Sequence, residues 1–311
     1  MECGSVLLYH NGIGILLRRK IMIGFQNLHA HTYFDDGSAT AEDMVKASIE
    51  AGLTSCGICC HSPILTQKNN WCIPIKEVPA FQQEVYAARE KYRGIIDVYC
   101  GVELDIMTGP WADIKGFDYV IGAVHYMPLP MGENEFLYGE VDLSRTDVEG
   151  YIERIYHGDR DAAAEYYFSQ YELVANNKDV DIVAHFDLLT KFDEYEITPP
   201  ELLIFDETSP RYMAAALEAM RILVKHNKIF EINTGAVSRG YRETFYPSAT
   251  LLKALRRMGG RITLSTDAHH PANAGFGLTA AAQLAADCGF KEVWNLTAAG
   301  FKPVSIKKLL D

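Results

Sequence analysis

No run of 18 apolar residues occurs in this sequence, so a membrane-spanning helix is not expected. Positive charge is scarce as well. The chain carries 29 Lys and Arg against 41 Asp and Glu, a formal net charge of -12, and no extended basic run offsets this locally. Such a surface repels a polyphosphate backbone, so a nucleic-acid partner is not expected either. The balance says nothing against a small anionic substrate, because bound metal ions dominate the field of their own pocket. A disulfide framework is also missing. Seven cysteines are an odd number scattered through a large chain, and they read as reduced thiols of a cytoplasmic protein. The opening stretch MECGSVLLYHNGIGILLRRKIMIGF has its basic residues after the apolar ones and no A-x-A cleavage pattern, which excludes a convincing signal peptide. Residues 1–24 read as an N-terminal extension. Residues 1–21 either lie upstream of a functional start at Met22 or form a first strand or hairpin.

What is present is an ordinary globular composition, 48% hydrophobic and 23% charged over 311 residues. That is enough chain for a large core, and α/β barrels of roughly 250 residues fold as one unit. Helices are marked at several places. Thr40 and Asp43 make a capping-box variant ahead of AEDMVKASIEA, which Gly52 closes. Pro79 opens a helix with Phe81, Val85, Ala88 and Tyr92 on one face. Ser209 and Pro210 open another, with Met213, Leu217, Met220 and Val224 at helical spacing. Ser248 caps a third, which carries Leu251, Leu252, Leu255 and Met258 and stops at Gly259. Between the helices lie seven short runs: GFQNLH, TSCGICCH, IIDVYCGVE, DYVIGAVH, DIVAH, IFEIN and RITLSTD. They are apolar throughout instead of alternating, as in strands buried on both faces of a parallel sheet. Strands alternating with helices imply βα units. Residues 126–178, rich in Glu, Asp and Tyr, read as an insertion, a loop followed by a helix, in a domain spanning 25–311.

The runs end in a telling way. LHAH closes on His29 and His31, GICCH on His61, YCGVE on Glu103, GAVH on His125, IVAH on His185, and LSTDAH on Asp267 and His269. Only IFEIN ends without a strong metal ligand. Six of the ten histidines therefore stand at strand ends. In a parallel α/β barrel the site is built from the carboxyl ends of several strands. Imidazoles and carboxylates are ligands for zinc, iron or manganese. His29 and His31 are two apart and face one side of an extended strand, as do Asp267 and His269. A Glu has two oxygens and can bridge two ions. Eight candidate ligands are too many for one tetrahedral ion, so two or three ions are expected. A single His after a strand is as often structural as functional; six together are hard to assign to chance. Asp35 and Asp36 precede a Gly, normally a turn signature, yet they lie close behind His31. Asp36 is the favoured further ligand, with Asp35 as the alternative.

The order H-x-H with a following D-G, then H, E, H, H and D-x-H, resembles the polymerase-and-histidinol-phosphatase (PHP) superfamily, in its histidinol-phosphate phosphatase branch. GVELD, IGAVHY, IVAHFDLLTKF, EINTGA, YPSATLL and STDAHHPANAGFG carry the resemblance from about residue 25 onward. It implies a distorted (β/α)7 barrel, TIM-like, with a trinuclear metal site at the C-terminal ends of the strands. By position, His29, His31, Glu103 and Asp267 would hold the first metal; Glu103, His125 and His185 the second; Asp36, His61 and His269 the third. Where many relatives have an acid just before the third histidine, this chain has Cys60. The stretch CGICCH is then neither a haem signature, its Cys pair being one residue too far from the His, nor a zinc knuckle. Cys56 and Cys59 pack as small apolar residues, and a redox role for Cys59 or Cys60 is the lesser alternative.

The expected reaction is hydrolysis of L-histidinol phosphate to L-histidinol and phosphate, a step of histidine biosynthesis, by attack of a metal-bridging hydroxide on phosphorus. Glu103, Asp267 and His269 are the catalytic candidates, the last two also as possible proton donors to the leaving alkoxide. Arg160 and Arg239 are candidates for the substrate phosphate, weighed against ordinary solvated arginines. Glu133, Glu135 and Tyr138 are candidates for the cationic half of the substrate, though a solvated loop would look the same. His10, His157, His226 and His270 get a plain reading, and KFDEYE reads as a solvated turn. Three rivals remain: an amidohydrolase, which usually carries a bridging Lys where Glu103 stands; a PHP module that binds metal without this activity; and a phosphatase of the same mechanism with another small substrate.

Overall fold

The computed structural model describes residues 6–10, 13–17, 24–64, 71–108, 115–132, 135–194 and 197–311. All seven apolar runs become strands of one sheet. They are β1 (Gln26–Asn27), β2 (Ser55–Ile58), β3 (Asp97–Asp105), β4 (Tyr119–Ala123), β5 (Ile182–Val183), β6 (Ile229–Asn233) and β7 (Arg261–Ser265). They lie side by side in chain order, each parallel to its neighbour. The two edges then meet beyond their strand ends. His31 N donates to Ala268 O at 2.8 Å, and Ala268 N donates to His29 O at 3.1 Å. The result is a nearly closed seven-stranded α/β barrel.

Inside the barrel, Tyr119 from β4 lies across the axis and donates its hydroxyl to the Leu28 carbonyl. A Cβ at Gly57 of β2 or Gly101 of β3 would sit within 2.2 Å of that ring or its hydroxyl. Only glycine at both positions leaves room for a phenol in a barrel this narrow. At the amino end, a C-terminal hairpin (Glu292–Thr297 with Gly300–Ser305) exchanges two hydrogen bonds with Gln26 through the Leu296 backbone, at 2.7 and 3.0 Å.

The helices start where sequence patterning places them. In α1 (Ala41–Glu50) the Thr40 hydroxyl accepts the Asp43 N–H at 3.1 Å. Pro79 lies in the first turn of α2 (Val78–Lys91), which buries Phe81, Val85 and Ala88. Residues 126–178 depart from the predicted loop and single helix. They form an antiparallel hairpin (Tyr126–Gly132 with Glu135–Glu140) followed by α3 (Arg145–Tyr156), α4 (Arg160–Ser169) and α5 (Tyr171–Asn176). The next helix, α6 (Pro210–Lys225), buries Tyr212, Ala216, Ala219, Met220 and Leu223. That face is offset from the predicted one, because alanines let α6 approach α4 closely while Met213, Leu217 and Val224 fall at its margin. Ser209 and Ser248 occupy the N-cap positions of α6 and α7 (Ala249–Arg257), but neither side chain makes the capping bond; Ser209 donates to Asp161 instead.

KFDEYE is no solvated turn where it is described. Asp193 and Glu194 are buried. Asp193 takes the N–H groups of Ile204 and Phe205 and pairs with Arg145, while Glu194 takes those of Glu243 and Thr244. Tyr195, Glu196, Met22 and Glu133 lie outside the described residues. At the N-terminus, Val6–His10 and Ile13–Leu17 pair as a hairpin. No described helix is long and apolar enough to cross a membrane.

Candidate metal centre

The carboxyl ends of six barrel strands deliver the polar residues of the site. His29 and His31 follow β1, His61 follows β2, Glu103 is near the end of β3, His125 follows β4, His185 follows β5, and Asp267 and His269 follow β7. Most are buried; Asp36 and His269 are the more open members. Asp267 takes a φ of 46°, a left-handed conformation uncommon for a residue with a side chain. Gly235 makes space for it, since a Cβ there would stand 2.8 Å from the Asp267 Cβ.

Glu103 is the hub. Its Oε2 lies 3.2 Å from His29 Nε2 and 3.5 Å from His31 Nε2. Its Oε1 lies 3.0 Å from His185 Nε2 and 3.5 Å from His125 Nε2. Asp267 Oδ1 is 3.6 Å from both His29 Nε2 and His31 Nε2, and those two nitrogens are 3.1 Å apart. Asp36 Oδ1 forms a third focus, 3.5 Å from His61 Nε2 and 3.1 Å from His269 Nε2. Cation–ligand bonds of 2.0–2.1 Å in a tetrahedron give ligand–ligand edges of about 3.3 Å. The spacings around all three foci cluster at that value, so the donor set fits divalent cations.

Three carboxylates stand behind the rings. Glu231 faces His29 Nδ1 at 3.0 Å, Asp35 faces His31 Nδ1 at 2.7 Å, and Asp105 faces His125 Nδ1 at 3.0 Å. A neutral ring that donates from Nδ1 presents its Nε2 lone pair, the form that ligates metal. Two such lone pairs 3.1 Å apart at His29 and His31 repel unless positive charge lies between them. The titration tendencies agree. Burial alone would raise the Glu103 carboxyl, but the rings of His29, His61 and His125 outweigh it and hold it well below the usual range. Burial alone would discharge His61, yet Glu103 and Asp36 push its pKa up to about 10. Burial opposes the ionised form of Asp267, and Arg239, then His29, override it and keep that carboxyl well below normal. This pocket requires positive charge at its centre, whether from protons or from metal ions.

The structure brings together every ligand candidate singled out in the sequence. Asp35 backs His31 while Asp36 faces the open focus. Of the two arginines, Arg239 belongs to the site. It ends the one-turn helix Gly235–Ser238, donates to Asp267 O at 2.8 Å and Asp267 Oδ2 at 3.2 Å, and lies 2.9 Å from His269 Nδ1. Arg160 does not. It starts α4, donates to the Leu203 carbonyl and lines a separate surface groove; three helices carry this segment around the outside of the barrel instead of over its mouth. Above the centre opens a cavity of about 440 Å³, whose wall also includes Trp71, Glu140, Asp142, Lys191 and Tyr241. Sequence reasoning missed Glu231 and Asp105. Each had a signal: Glu231 is a carboxylate inside the apolar run IFEIN, and Asp105 stands two residues beyond Glu103, on the same face.

Cys56, Cys59 and Cys60 are fully buried, which agrees with a packing role. Cys59 nonetheless comes within 3.9 Å of His31 Nε2. Burial, with Glu103 next for Cys59 and Asp35 next for Cys60, pushes both thiols well above their ordinary range. Alkylation of the native protein with iodoacetamide at pH 8 is therefore expected to leave Cys59 and Cys60 unmodified, as read by peptide mass spectrometry; rapid labelling of either would return a reactive role to it.

The sequence profile of the PHP domain matches residues 27–235. The chain is similar to a Deinococcus radiodurans protein named "Probable histidinol-phosphatase", 24% identical over 282 residues that make up 88% of this chain and 96% of that one. It is similar to a Schizosaccharomyces pombe protein of the same name, 23% identical over 264 residues, 80% of this chain and 81% of that one. Among solved structures it resembles a histidinol phosphate phosphatase of Lactococcus lactis subsp. lactis, complexed with zinc, L-histidinol and phosphate. The TM-score is 0.68 at 21% identity, over 89% of this chain and 98% of that one. This last likeness supports the fold.

Proposed function

The chain belongs to the PHP domain family, and from that premise we propose that it is a phosphoric monoester hydrolase using two or three divalent cations, zinc, iron or manganese, to convert L-histidinol phosphate to L-histidinol and phosphate. The observation that carries this reading is the Glu103 carboxylate, whose two oxygens face two different sets of imidazoles at ligand–ligand spacing. His29, His31, Glu103 and Asp267 would hold a first cation. Glu103, His125 and His185 would hold a second, and Asp36, His61 and His269 a third. The two relatives named histidinol-phosphatase, aligned over most of their lengths, favour this substrate, as does the histidinol and phosphate bound in the Lactococcus lactis structure. We place the enzyme in the cytoplasm, in keeping with six free cysteines among the described residues, and read residues 25–311 as its single barrel domain.

When bound, such cations neutralise phosphoryl oxygens and lower the pKa of water from 15.7 to about 7. The protein's own groups do the rest. Arg239, partly exposed at the mouth, has its guanidinium oriented by the Asp267 carbonyl and carboxylate and takes a phosphoryl oxygen. Asp267 Oδ2 takes N–H groups from Arg239 at 3.2 Å and Asn233 at 3.3 Å. Those donors favour its ionised form, which suits it to hold a cation and makes it a weak base toward the attacking water. His269 would give its Nε2 to the third cation and faces Arg239 with its Nδ1, so it orients the guanidinium and keeps no proton for the leaving alkoxide. Glu140 and Asp142 in the same cavity offer negative charge to the ammonium and imidazole of the substrate. Glu133, Glu135 and Tyr138 remain candidates for the same role.

The test combines metal analysis of the purified protein with phosphate release from a panel of small phosphomonoesters that includes histidinol phosphate. Metal with no phosphate release from any ester would identify a binding module. Release from other esters but not from histidinol phosphate would transfer the mechanism to another substrate. Within the panel, Arg239→Ala is expected to raise KM for the phosphoester roughly 10- to 100-fold, as loss of a charge-assisted hydrogen bond of about 1.5–3 kcal/mol implies. Arg160→Ala is expected to leave KM unchanged. Equal behaviour of the two variants would return Arg239 to the surface.

A further inference from the structure

We propose that Glu231 and Asp35 are positioning residues that wire the cation sites to one another, Glu231 joining the first to the second and Asp35 the first to the third. The proposal rests on the three-cation reading above. Both carboxylates are buried and neither faces a focus directly. Glu231 Oε2 accepts from His29 Nδ1 at 3.0 Å, while its Oε1 accepts the backbone N–H of His185 at 2.9 Å and Asn233 Nδ2 at 2.7 Å. Asp35 Oδ2 accepts from His31 Nδ1 at 2.7 Å and from the backbone N–H of His61 at 2.8 Å; its Oδ1 accepts the Thr32 N–H at 3.1 Å.

Each carboxylate thus fixes the ring of one ligand on β1 and the chain position of a ligand on another strand. Asp105 provides the contrast. Its Oδ2 takes both the ring Nδ1 and the backbone N–H of the same residue, His125, at 3.0 Å each, and so serves one site alone. A cation that locks His29 pins Glu231, and with it the strand end that presents His185. A cation that locks His31 does the same for His61 through Asp35. Such coupling is reciprocal: filling either site of a pair tightens the other. Glu231→Gln keeps the volume but leaves one acceptor oxygen where two are in use, so it cannot satisfy His29 and His185 together. In Asp35 both bonds end on Oδ2, which an asparagine could still supply, so the matching change there is Asp35→Ala, which removes the acceptor of His31 and His61 together.

The experiment equilibrates wild type and each variant with zinc against a competing chelator, crystallises them, and reads the occupancy of each site by anomalous diffraction. Glu231→Gln is expected to bind about 10- to 100-fold more weakly at the first and second sites with the third retained. Asp35→Ala is expected to weaken the first and third with the second retained, and Asp105→Ala, which removes the shared acceptor of the His125 ring and backbone, the second alone. A merely structural role would lower the melting temperature of the stripped protein without that pattern. Uniform loss at all sites, or no loss in either variant, overturns the wiring while leaving the metal centre intact. Wild-type crystals without zinc at the centre overturn both readings. Asp35 lies in a loop after β1, so Asp35→Ala decides the matter even if Glu231→Gln does not fold.

Discussion

Glu103→Gln is expected to lower kcat by at least about 10³-fold while the barrel stays folded. Losing one preorganised charge stabiliser costs about 10²- to 10³-fold in an active site, and Glu103 serves two foci at once. Its carboxylate is approached by four imidazole Nε2 atoms at 3.0–3.5 Å, and His61 Nδ1 stands 2.9 Å from Oε2. An amide in its place removes the shared negative charge and turns one acceptor into a donor aimed at ring nitrogens. The protein should then bind fewer cations per chain, read by metal analysis, with no phosphate released in a direct assay. The glutamine is isosteric and β3 keeps its ladder, so circular dichroism should be unchanged. Full turnover in this variant would refute the assignment of the centre.

Stripping the cations is expected to abolish turnover and to lower the melting temperature by about 8 °C or more, both reversed by adding a divalent metal. A ligand present at 1,000 times its Kd stabilises the native state by about 4.1 kcal/mol, and each kcal/mol moves the melting point of a chain this large by about 2 °C. The stripped site must also draw positive charge from elsewhere. The carboxylates around His29 raise its pKa well above normal although burial opposes this, and His125 is raised in the same way, chiefly by Glu103 against burial. Chelation should therefore be accompanied by proton uptake, and cation affinity should fall as the pH falls. Calorimetry in buffers of different ionisation enthalpy measures the proton count. Activity that survives exhaustive chelation would remove the cations from the reaction.

The seven strands were legible in the sequence because a strand buried on both faces has no polar alternation to confuse with a loop. The ligands were legible for a related reason. His61, His125 and His185 each interrupt an apolar run where a side chain leaves the core and reaches the mouth. Glu231 was missed because a carboxylate within a strand has no visible purpose until His29, 202 residues earlier, is placed beside it. Arg160 was misplaced because its position depends on the course of three helices, which no local pattern records. The hairpin in residues 126–140 escaped notice because Pro128 and Pro130 stand inside its first strand, a residue type that argues against a central strand and is tolerated at an edge. Asp193 and Glu194 looked solvated because their partners, Ile204, Phe205, Glu243 and Thr244, lie far along the chain.

Tyr119 has a further bearing on traffic through the barrel. With its ring lodged against Gly57 and Gly101 and its hydroxyl tied to Leu28, the phenol stoppers the axis directly under the ligands. Among the described residues the cavity at the centre opens on the ligand side of that ring, so ester, alcohol and inorganic phosphate would share that side, and whichever product departs last would delay the next arrival.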